Sequence, residues 1–177
     1  DEFLEKYPTN DQGMIFEGAY HRIAGDVQQA RKSFDAHIEK NPDNAVALWQ
    51  RGELYRLMGH WQKAIDDFTK AKTFNPNGFS FQHRISLADV LLETGKAELA
   101  VSELKSILEE NPNEDAVAEA LIDIYTRIGP SRYPDAETLI FTFAQKHPRD
   151  EKWQMLLGRL YETAKNDAKA IQAYEKA

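Results

Sequence analysis

Apolar residues recur along the chain at the three-to-four-residue spacing of an amphipathic helix. Leu54, Leu57 and Met58 form one such set, and Ile65 and Phe68 belong to the next. Strand-like alternation of apolar and polar residues is absent from the sequence. The hydrophobic periodicity therefore predicts an all-α chain.

The apolar segments are separated by residues that end one helix and begin another. Gly25 ends a helix readily, and Asp26 offers an N-cap with Gln29 placed to complete a capping box. Residues 42–44 read Pro-Asp-Asn and residues 112–114 read Pro-Asn-Glu. Proline cannot continue a helix, and Asx side chains accept free backbone N–H groups. These breaks predict a succession of helix pairs.

Prolines between the pairs mark a repeat. Pro8, Pro42, Pro76, Pro112 and Pro148 are separated by 34, 34, 36 and 36 residues. Between prolines, a small residue, an aromatic, a glycine, an alanine and a further large residue follow in a fixed order. The clearest copy is Gly52, Tyr55, Gly59, Ala64, Phe68, Ala71 and Pro76. Small residues on both helices of a pair predict a close approach of the two backbones, with large residues filling the surrounding space.

This order resembles the tetratricopeptide repeat, and the resemblance covers nearly the whole chain. It implies a right-handed all-α superhelix, a solenoid of about five helical hairpins in a single domain over residues 1–177. One hairpin cannot cover its own apolar face, so neighbouring hairpins must stack. The expected repeats are about 11–42, 43–76, 79–112, 114–148 and 150–177, with 1–8 as the tail of a preceding helix.

Two copies depart from the pattern. In the fourth, Ile122 or Ile124 replaces the small residue, and Pro130 to Pro134 lengthen the turn, so this hairpin is expected to open or tilt. In the third, Leu91 replaces the usual tyrosine, and Asn77-Gly78 adds two residues before the first helix. The curvature is therefore unspecified by the sequence from about residue 77 to residue 135.

Both ends of the chain carry apolar residues that need covering. Phe3, Leu4 and Tyr7 are expected to cover the first hairpin, and Ile171 and Tyr174 lie on a last helix with no capping helix after it. The chain also lacks an initiator methionine. We expect truncation at the end, in preference to a following domain or a self-association contact.

The resemblance further implies that the first helix of each hairpin lines a concave groove for another protein or peptide. Residues three to four apart on those helices are the expected partner-binding positions: Ile15, Ala19, Arg22, Trp49, Glu53, Arg56, Ile85, Asp89, Glu119, Asp123, Met155 and Arg159. Trp49 is the expected anchor, because a large rigid surface is desolvated there at little entropic cost. The alternative is that Trp49 packs between adjacent first helices.

Chaperone-adaptor members of this family hold a C-terminal carboxylate with a clamp rich in Lys and Asn. The corresponding first two faces here carry Ile15, Ala19, Trp49 and Glu53. None of these side chains suits a carboxylate. We expect no tight binding of such C-terminal tails.

Composition and motifs oppose other classes of function. The net charge is −7 without a dense Lys/Arg run, which disfavours nucleic-acid binding. The sequence has no run of about 18 apolar residues that would predict membrane insertion.

The sequence also lacks the residue patterns of a metal or catalytic site. Cysteine is absent, and the five histidines show no metal-binding spacing; His37 is expected to be packed. Neighbouring carboxylates such as Asp66 and Asp67 are interpreted as solvated helix-surface residues. No phosphate loop, nucleophile elbow or dinucleotide fingerprint occurs. No catalytic residue, metal or cofactor is expected.

A non-enzymatic protein-interaction scaffold is therefore the leading interpretation. The alternative is an oligomerisation module that assembles through its uncapped C-terminal helix, and sedimentation at several concentrations distinguishes the two. An RNA-reading helical repeat of the pentatricopeptide type is disfavoured by the acidic residues of the expected groove. The chain is expected to be soluble, and the sequence does not choose between a cytoplasmic and a periplasmic location.

Overall fold

The computed structural model describes residues 11–177, and within that range the secondary structure is entirely helical. The helices are α1 (Asp11–Ile23), α2 (Val27–Lys40), α3 (Ala45–Leu57), α4 (Trp61–Phe74), α5 (Phe81–Glu93), α6 (Ala97–Glu110), α7 (Asp115–Ile128), a 3-10 turn (Pro130–Arg132), α8 (Tyr133–Lys146), α9 (Lys152–Thr163) and α10 (Asp167–Tyr174). The predicted all-α class is confirmed. The expectations for 1–8, and for Phe3, Leu4 and Tyr7 in particular, lie outside the described residues.

The chain divides into two compact units, one ending at Thr94 and the other beginning at Gly95. In the first unit, α1 packs on α2 and α3 packs on α4, while contacts of α2 with α3 and of α4 with α5 join successive helices. In the second, α6 packs on α7, α7 on α8, α8 on α9 and α9 on α10. The assignment of all repeats to a single domain stays a prediction.

Side-chain caps start several helices as the sequence predicts. Asp26 Oδ1 accepts a hydrogen bond from the Gln29 backbone N–H at 3.2 Å, at the start of α2. Asn44 Oδ1 accepts from the Ala47 N–H at 3.0 Å, at the start of α3. Gly25 has a φ of 80°, in the left-handed region that glycine adopts without strain. The prediction of a side-chain cap after Pro112 is wrong. Glu114 is the N-cap residue of α7, and its side chain makes no capping hydrogen bond in the described structure.

Each of three hairpins is closed by an aromatic ring that lies on a glycine. A Cβ built on Gly18 would stand 2.5 Å from a ring carbon of Phe34, and one on Gly52 would stand 2.6 Å from the ring of Phe68. Gly158 has the same relation to the ring of Tyr174. The glycine and the aromatic residue are 16 positions apart in every case. The small residue of the repeat therefore makes room for one particular ring.

The fourth repeat fills the equivalent space differently. Ile122 stands at the small-residue position, and Ile140 stands where Phe34, Phe68 and Tyr174 stand in the three glycine hairpins. Both isoleucines are buried. The smaller side chain at the ring position offsets only part of the volume that isoleucine adds at the glycine position, so this hairpin cannot repeat the glycine–ring contact of those three. The lengthened turn contains Gly129 at a φ of 113° and the 3-10 turn.

A buried ion pair holds three helices of the first unit together. On α3, Arg51 donates through Nε to Asp67 Oδ2 at 2.7 Å and through Nη2 to Asp67 Oδ1 at 2.8 Å. It also donates through Nη1 to Asp35 Oδ1 on α2 at 2.8 Å. The surface interpretation of Asp67 is therefore wrong: the residue is only 3% exposed, whereas Asp66 beside it is exposed. Hydrogen bonding to Asp67 raises the pKa of Arg51 above its ordinary value.

The expected packing of His37 is confirmed, since it is fully buried on α2. Neither ring nitrogen has a hydrogen-bond partner in the described structure. Trp153 on α9 is likewise fully buried, and its ring centroid lies 5.0 Å from that of Phe143.

The glycine contact predicts that Gly52→Ala destabilises the first unit. Alanine favours the helix by about 1 kcal/mol, but a Cβ 2.6 Å from a buried ring puts the overpacking cost at about 2–3 kcal/mol, the upper part of its usual range, so a net loss of about 1–2 kcal/mol is expected. The added substitution Phe68→Leu should recover most of it, because the third repeat itself combines Ala88 with Leu104. Urea unfolding of the two variants measures both effects. A Gly52→Ala protein as stable as wild type would contradict the contact.

Removing one partner of the buried ion pair should be more damaging than removing both. Arg51→Met leaves the Asp67 carboxylate buried without its cation, and a loss of about 3–5 kcal/mol is expected. Arg51→Met combined with Asp67→Leu should recover most of that loss, because the only carboxylate left without Arg51 is that of Asp35, which is 46% exposed. Thermal and urea unfolding of the wild type, both single variants and the double variant give the coupling energy. Additive effects of the two substitutions would show that the pair is unimportant.

Candidate partner-binding face

The expected partner-binding residues fall on first helices in both units, and each unit is described by itself. In the first unit α1 contacts α3 and α3 contacts α5, so three first helices lie side by side. We call the side formed by the expected residues on these helices the first-helix face: Ile15, Ala19, Arg22, Trp49, Glu53, Arg56, Ile85 and Asp89. In the second unit Glu119 and Asp123 lie on α7, and Met155 and Arg159 lie on α9.

Trp49 occupies the middle helix of the first-helix face. Its ring centroid lies 4.3 Å from that of His83 on α5, with 48° between the ring planes. The ring of Phe79 lies 5.2 Å from the same histidine. Trp49 thus packs against the next first helix, and it remains half-buried and lines a cavity of about 160 Å³. The neighbouring ring fixes the orientation of the indole.

Charged side chains on the first-helix face are tied to one another. Arg56 donates through Nε and Nη2 to Glu53 Oε2, at 3.1 and 3.0 Å, and its Nη1 lies 3.7 Å from Asp89 Oδ2 on α5. Glu53 is only 6% exposed. It therefore contributes to the face mainly by holding Arg56, since little of its own surface is accessible. Arg56 and Asp89 are both partly exposed and join α3 to α5.

His83 is a residue of this region that the sequence did not single out. Its Nδ1 accepts a hydrogen bond from the Ser80 backbone N–H at 3.1 Å at the start of α5. Burial lowers the pKa of His83 from the ordinary 6.5, and the charge of Glu53 opposes that shift to a smaller extent. The missed signal is the spacing of contacts between repeats: His83 follows Trp49 by 34 residues and lies two residues before Ile85, the position equivalent to Trp49.

The corresponding residues of the second unit are more exposed. Asp123 is exposed and its Oδ2 lies 3.5 Å from Arg127 Nη1, one turn along α7. Glu119 Oε1 lies 2.9 Å from Lys152 Nζ at the start of α9. Met155 and Arg159 are exposed on α9. This part of the expected groove is therefore a charged surface with one apolar side chain, Met155.

Two general features of the described residues bear on function. Between residues 11 and 177, no group of three or more His, Asp or Glu side chains is placed to hold a metal ion. In the same range, no helix is both long and apolar enough to cross a membrane.

Successive helical hairpins at intervals of 34 to 36 residues, three of them closed by a glycine and an aromatic ring, define a helical-repeat protein. Family models for the tetratricopeptide repeat match residues 45–77 and residues 127–177. These matches identify tetratricopeptide repeats in both parts of the chain, as the order of its small and aromatic residues predicts.

Curated relatives match part of the chain. It is 32% identical to the DnaJ homolog subfamily C member 3 of Gallus gallus over 97 residues, which are 55% of this chain and 19% of the relative. It is 30% identical over 80 residues to the tetratricopeptide repeat and J domain-containing co-chaperone DNJ1 of Fusarium oxysporum, covering 45% of this chain and 15% of the relative. The chain thus spans a fifth or less of the length of these relatives.

Solved structures match nearly the whole described fold of this chain. A tetratricopeptide repeat protein from Parabacteroides merdae aligns with a TM-score of 0.80 at 21% identity, covering 98% of this chain and 67% of that one. YrrB, described as a tetratricopeptide repeat protein with an unusual peptide-binding site, aligns with a TM-score of 0.71 at 18% identity, covering 99% and 88%. These likenesses establish the fold. Fold and relatives together support a protein-interaction scaffold, and proteins of this family are typically non-catalytic.

The lowered pKa of His83 predicts an acid-sensitive first unit. Below about pH 6.5 the unfolded chain binds a proton at this position before the folded chain does, so stability falls as the pH drops towards the folded pKa. His83→Gln keeps an acceptor for the Ser80 N–H and removes the titration. Urea unfolding between about pH 7.5 and about pH 5.5 should show a smaller loss for this variant than for wild type. Equal losses would contradict the burial of His83.

Proposed function

We propose that the first-helix face of the first unit binds a segment of another protein, with Trp49 as its central anchor. The observation that carries the proposal is the state of Trp49, which is held against His83 at 4.3 Å and yet remains half-buried beside a cavity. An aromatic side chain already fixed in place loses little conformational entropy when a partner covers it. Such positions dominate the energetics of protein interfaces.

The polar part of the face favours the same interpretation. Arg56 is partly exposed and is held by Glu53 on its own helix and near Asp89 on the next. A charge that is fixed before binding gives a partner a defined donor to meet, and this favours specificity more than affinity. Apolar positions at Ile15 and Ile85 lie on the flanking helices. A segment carrying both apolar and polar side chains suits this mixture.

The DnaJ-related relatives do not make this face a carboxylate clamp. Glu53 lies in the middle of the face, and its Oε2 already accepts from Arg56. A partner carboxylate there would meet this negative charge and the indole of Trp49. We therefore propose that an internal segment of the partner, not a free C-terminal tail, is bound.

Self-association through the C-terminal end remains a second candidate. Ile171 on α10 is 58% exposed. Tyr174, however, is used inside its own hairpin, where its ring lies on Gly158 and its hydroxyl donates to Glu162 Oε2 at 2.7 Å. Self-association would therefore depend on Ile171 alone, and partner binding on the first-helix face is better supported.

Replacing the anchor should weaken partner binding without unfolding the chain. Proteins captured by wild type and lost by a Trp49→Ala, Arg56→Ala double variant identify the partner, which is then titrated by calorimetry. Trp49→Ala is expected to weaken its binding by at least about 1–2 kcal/mol, roughly five- to thirtyfold, because a buried aromatic contact is lost. Circular dichroism confirms that the variant remains folded.

Phe74→Ala is the matched control for this experiment. Phe74 is also a large apolar residue, 50% exposed, but it lies on α4, a second helix. Its removal should leave the affinity unchanged. If Phe74→Ala weakens binding and Trp49→Ala does not, the partner binds elsewhere and the proposal fails.

A further inference from the structure

The loop between α4 and α5 contains Asn77-Gly78, the only asparagine–glycine pair in the sequence. Both residues are exposed. An asparagine side chain can react with the backbone nitrogen of the residue that follows it, and glycine hinders this approach least because it has no Cβ. The loop therefore presents an exposed asparagine in the sequence context where that reaction is fastest.

The structure of the loop requires glycine at position 78. A Cβ built on Gly78 would overlap the side chain of Asn75. That side chain holds the loop, since Asn75 Oδ1 accepts a hydrogen bond from the Gly78 backbone N–H at 2.9 Å. A larger residue would block the reaction at Asn77, but it would also displace Asn75 and break this hydrogen bond.

The hydrogen bond to Asn75 involves the nitrogen that would react. The reaction begins when the Gly78 nitrogen loses its proton and attacks Cγ of Asn77. An N–H that donates to Asn75 Oδ1 gives up its proton less readily and is held towards Asn75. The Asn75 side chain therefore slows the reaction of the pair that its own turn requires.

We propose that Asn77 is a site of spontaneous deamidation whose rate is controlled by Asn75. The Gly78 nitrogen forms a bond to Asn77 Cγ, the Cγ–Nδ2 bond breaks, and the amide nitrogen leaves as ammonia with the proton that Gly78 gave up. Water then opens the resulting succinimide at either carbonyl. The product at position 77 is aspartate or isoaspartate. Both add one negative charge, and isoaspartate also adds one methylene to the backbone.

The residue after this pair connects the loop to the first-helix face. Phe79 is buried, and its ring centroid lies 5.2 Å from that of His83. The His83 ring in turn lies 4.3 Å from that of Trp49. A backbone methylene added just before Gly78 changes the path that brings Phe79 into this position. Isoaspartate at position 77 is therefore expected to destabilise the first unit and to change the surroundings of Trp49.

Asn113 is the matched control within the same chain. It follows Pro112 as Asn77 follows Pro76, and it is also exposed, but the next residue is Glu114. Protein kept at mildly alkaline pH is digested, and mass spectrometry measures the replacement of each amide by a hydroxyl group. Asn77 should be converted at least about tenfold faster than Asn113. Conversion of Asn77 no faster than that of Asn113 would overturn the proposal.

Two substitutions test the control by Asn75. Asn75→Ala removes the acceptor for the Gly78 N–H, so Asn77 should be converted about two- to tenfold faster, as the loss of one hydrogen bond implies. Asn75→Asp keeps an acceptor and should be converted no faster than wild type. Circular dichroism confirms that both variants remain folded. A wild-type rate in Asn75→Ala, or equal acceleration in both variants, would show that the hydrogen bond does not protect the pair.

Stability after prolonged incubation tests the structural consequence. Converted wild type should unfold at a lower urea concentration than fresh protein, and the Trp49 indole N–H resonance, assigned with Trp49→Phe, should shift. Asn77→Gln keeps an amide but must form a larger ring, so it should show neither change. The Trp153 resonance of the second unit is the internal control. Equal losses of stability in wild type and Asn77→Gln would exclude Asn77 as the cause. Partner binding by fresh protein is independent of every outcome, so the proposed function is tested separately.

Discussion

Three hairpins of the structure depend on the absence of a Cβ atom at one position of the repeat. Where Gly18, Gly52 and Gly158 stand on a first helix, an aromatic ring of the second helix lies directly on the backbone. Without that contact the two helices of a hairpin would be held farther apart, and the apolar faces that join one hairpin to the next would no longer meet. The contacts between these hairpins and their neighbours therefore depend on close packing within the hairpin.

Ion pairs further fix the position of α3 relative to its neighbouring helices. Arg51 joins α3 to α2 and α4 on one side, and Arg56 joins it to α5 on the other. The helix that carries Trp49 is therefore fixed with respect to both of its neighbours within the first unit. A binding residue on a helix held in this way keeps one orientation, which lowers the entropy that association must overcome.

The repeat, its helix class and its glycine positions could be predicted because each is a local pattern repeated along the chain. The partners of individual charges could not. Asp67 has the same local sequence context as a solvated surface carboxylate, and only Arg51, 16 residues earlier, shows that it is buried in an ion pair. Glu53 was expected on an accessible face for the same reason. Two spacings carry the missing information. Residues in contact across a helix pair are 16 positions apart, as are Gly52 and Phe68, and residues in contact across successive first helices are about 34 apart, as are Trp49 and His83.

The central claim is that a partner segment lies over Trp49 on the first-helix face. A photo-crosslinking residue in place of Val46, which is 53% exposed beside Trp49 and lines the same cavity, tests this most directly. The account predicts a crosslink from this position to an internal segment of the partner, and none from the same residue in place of Phe74. A crosslink from position 74 with none from position 46 would contradict it.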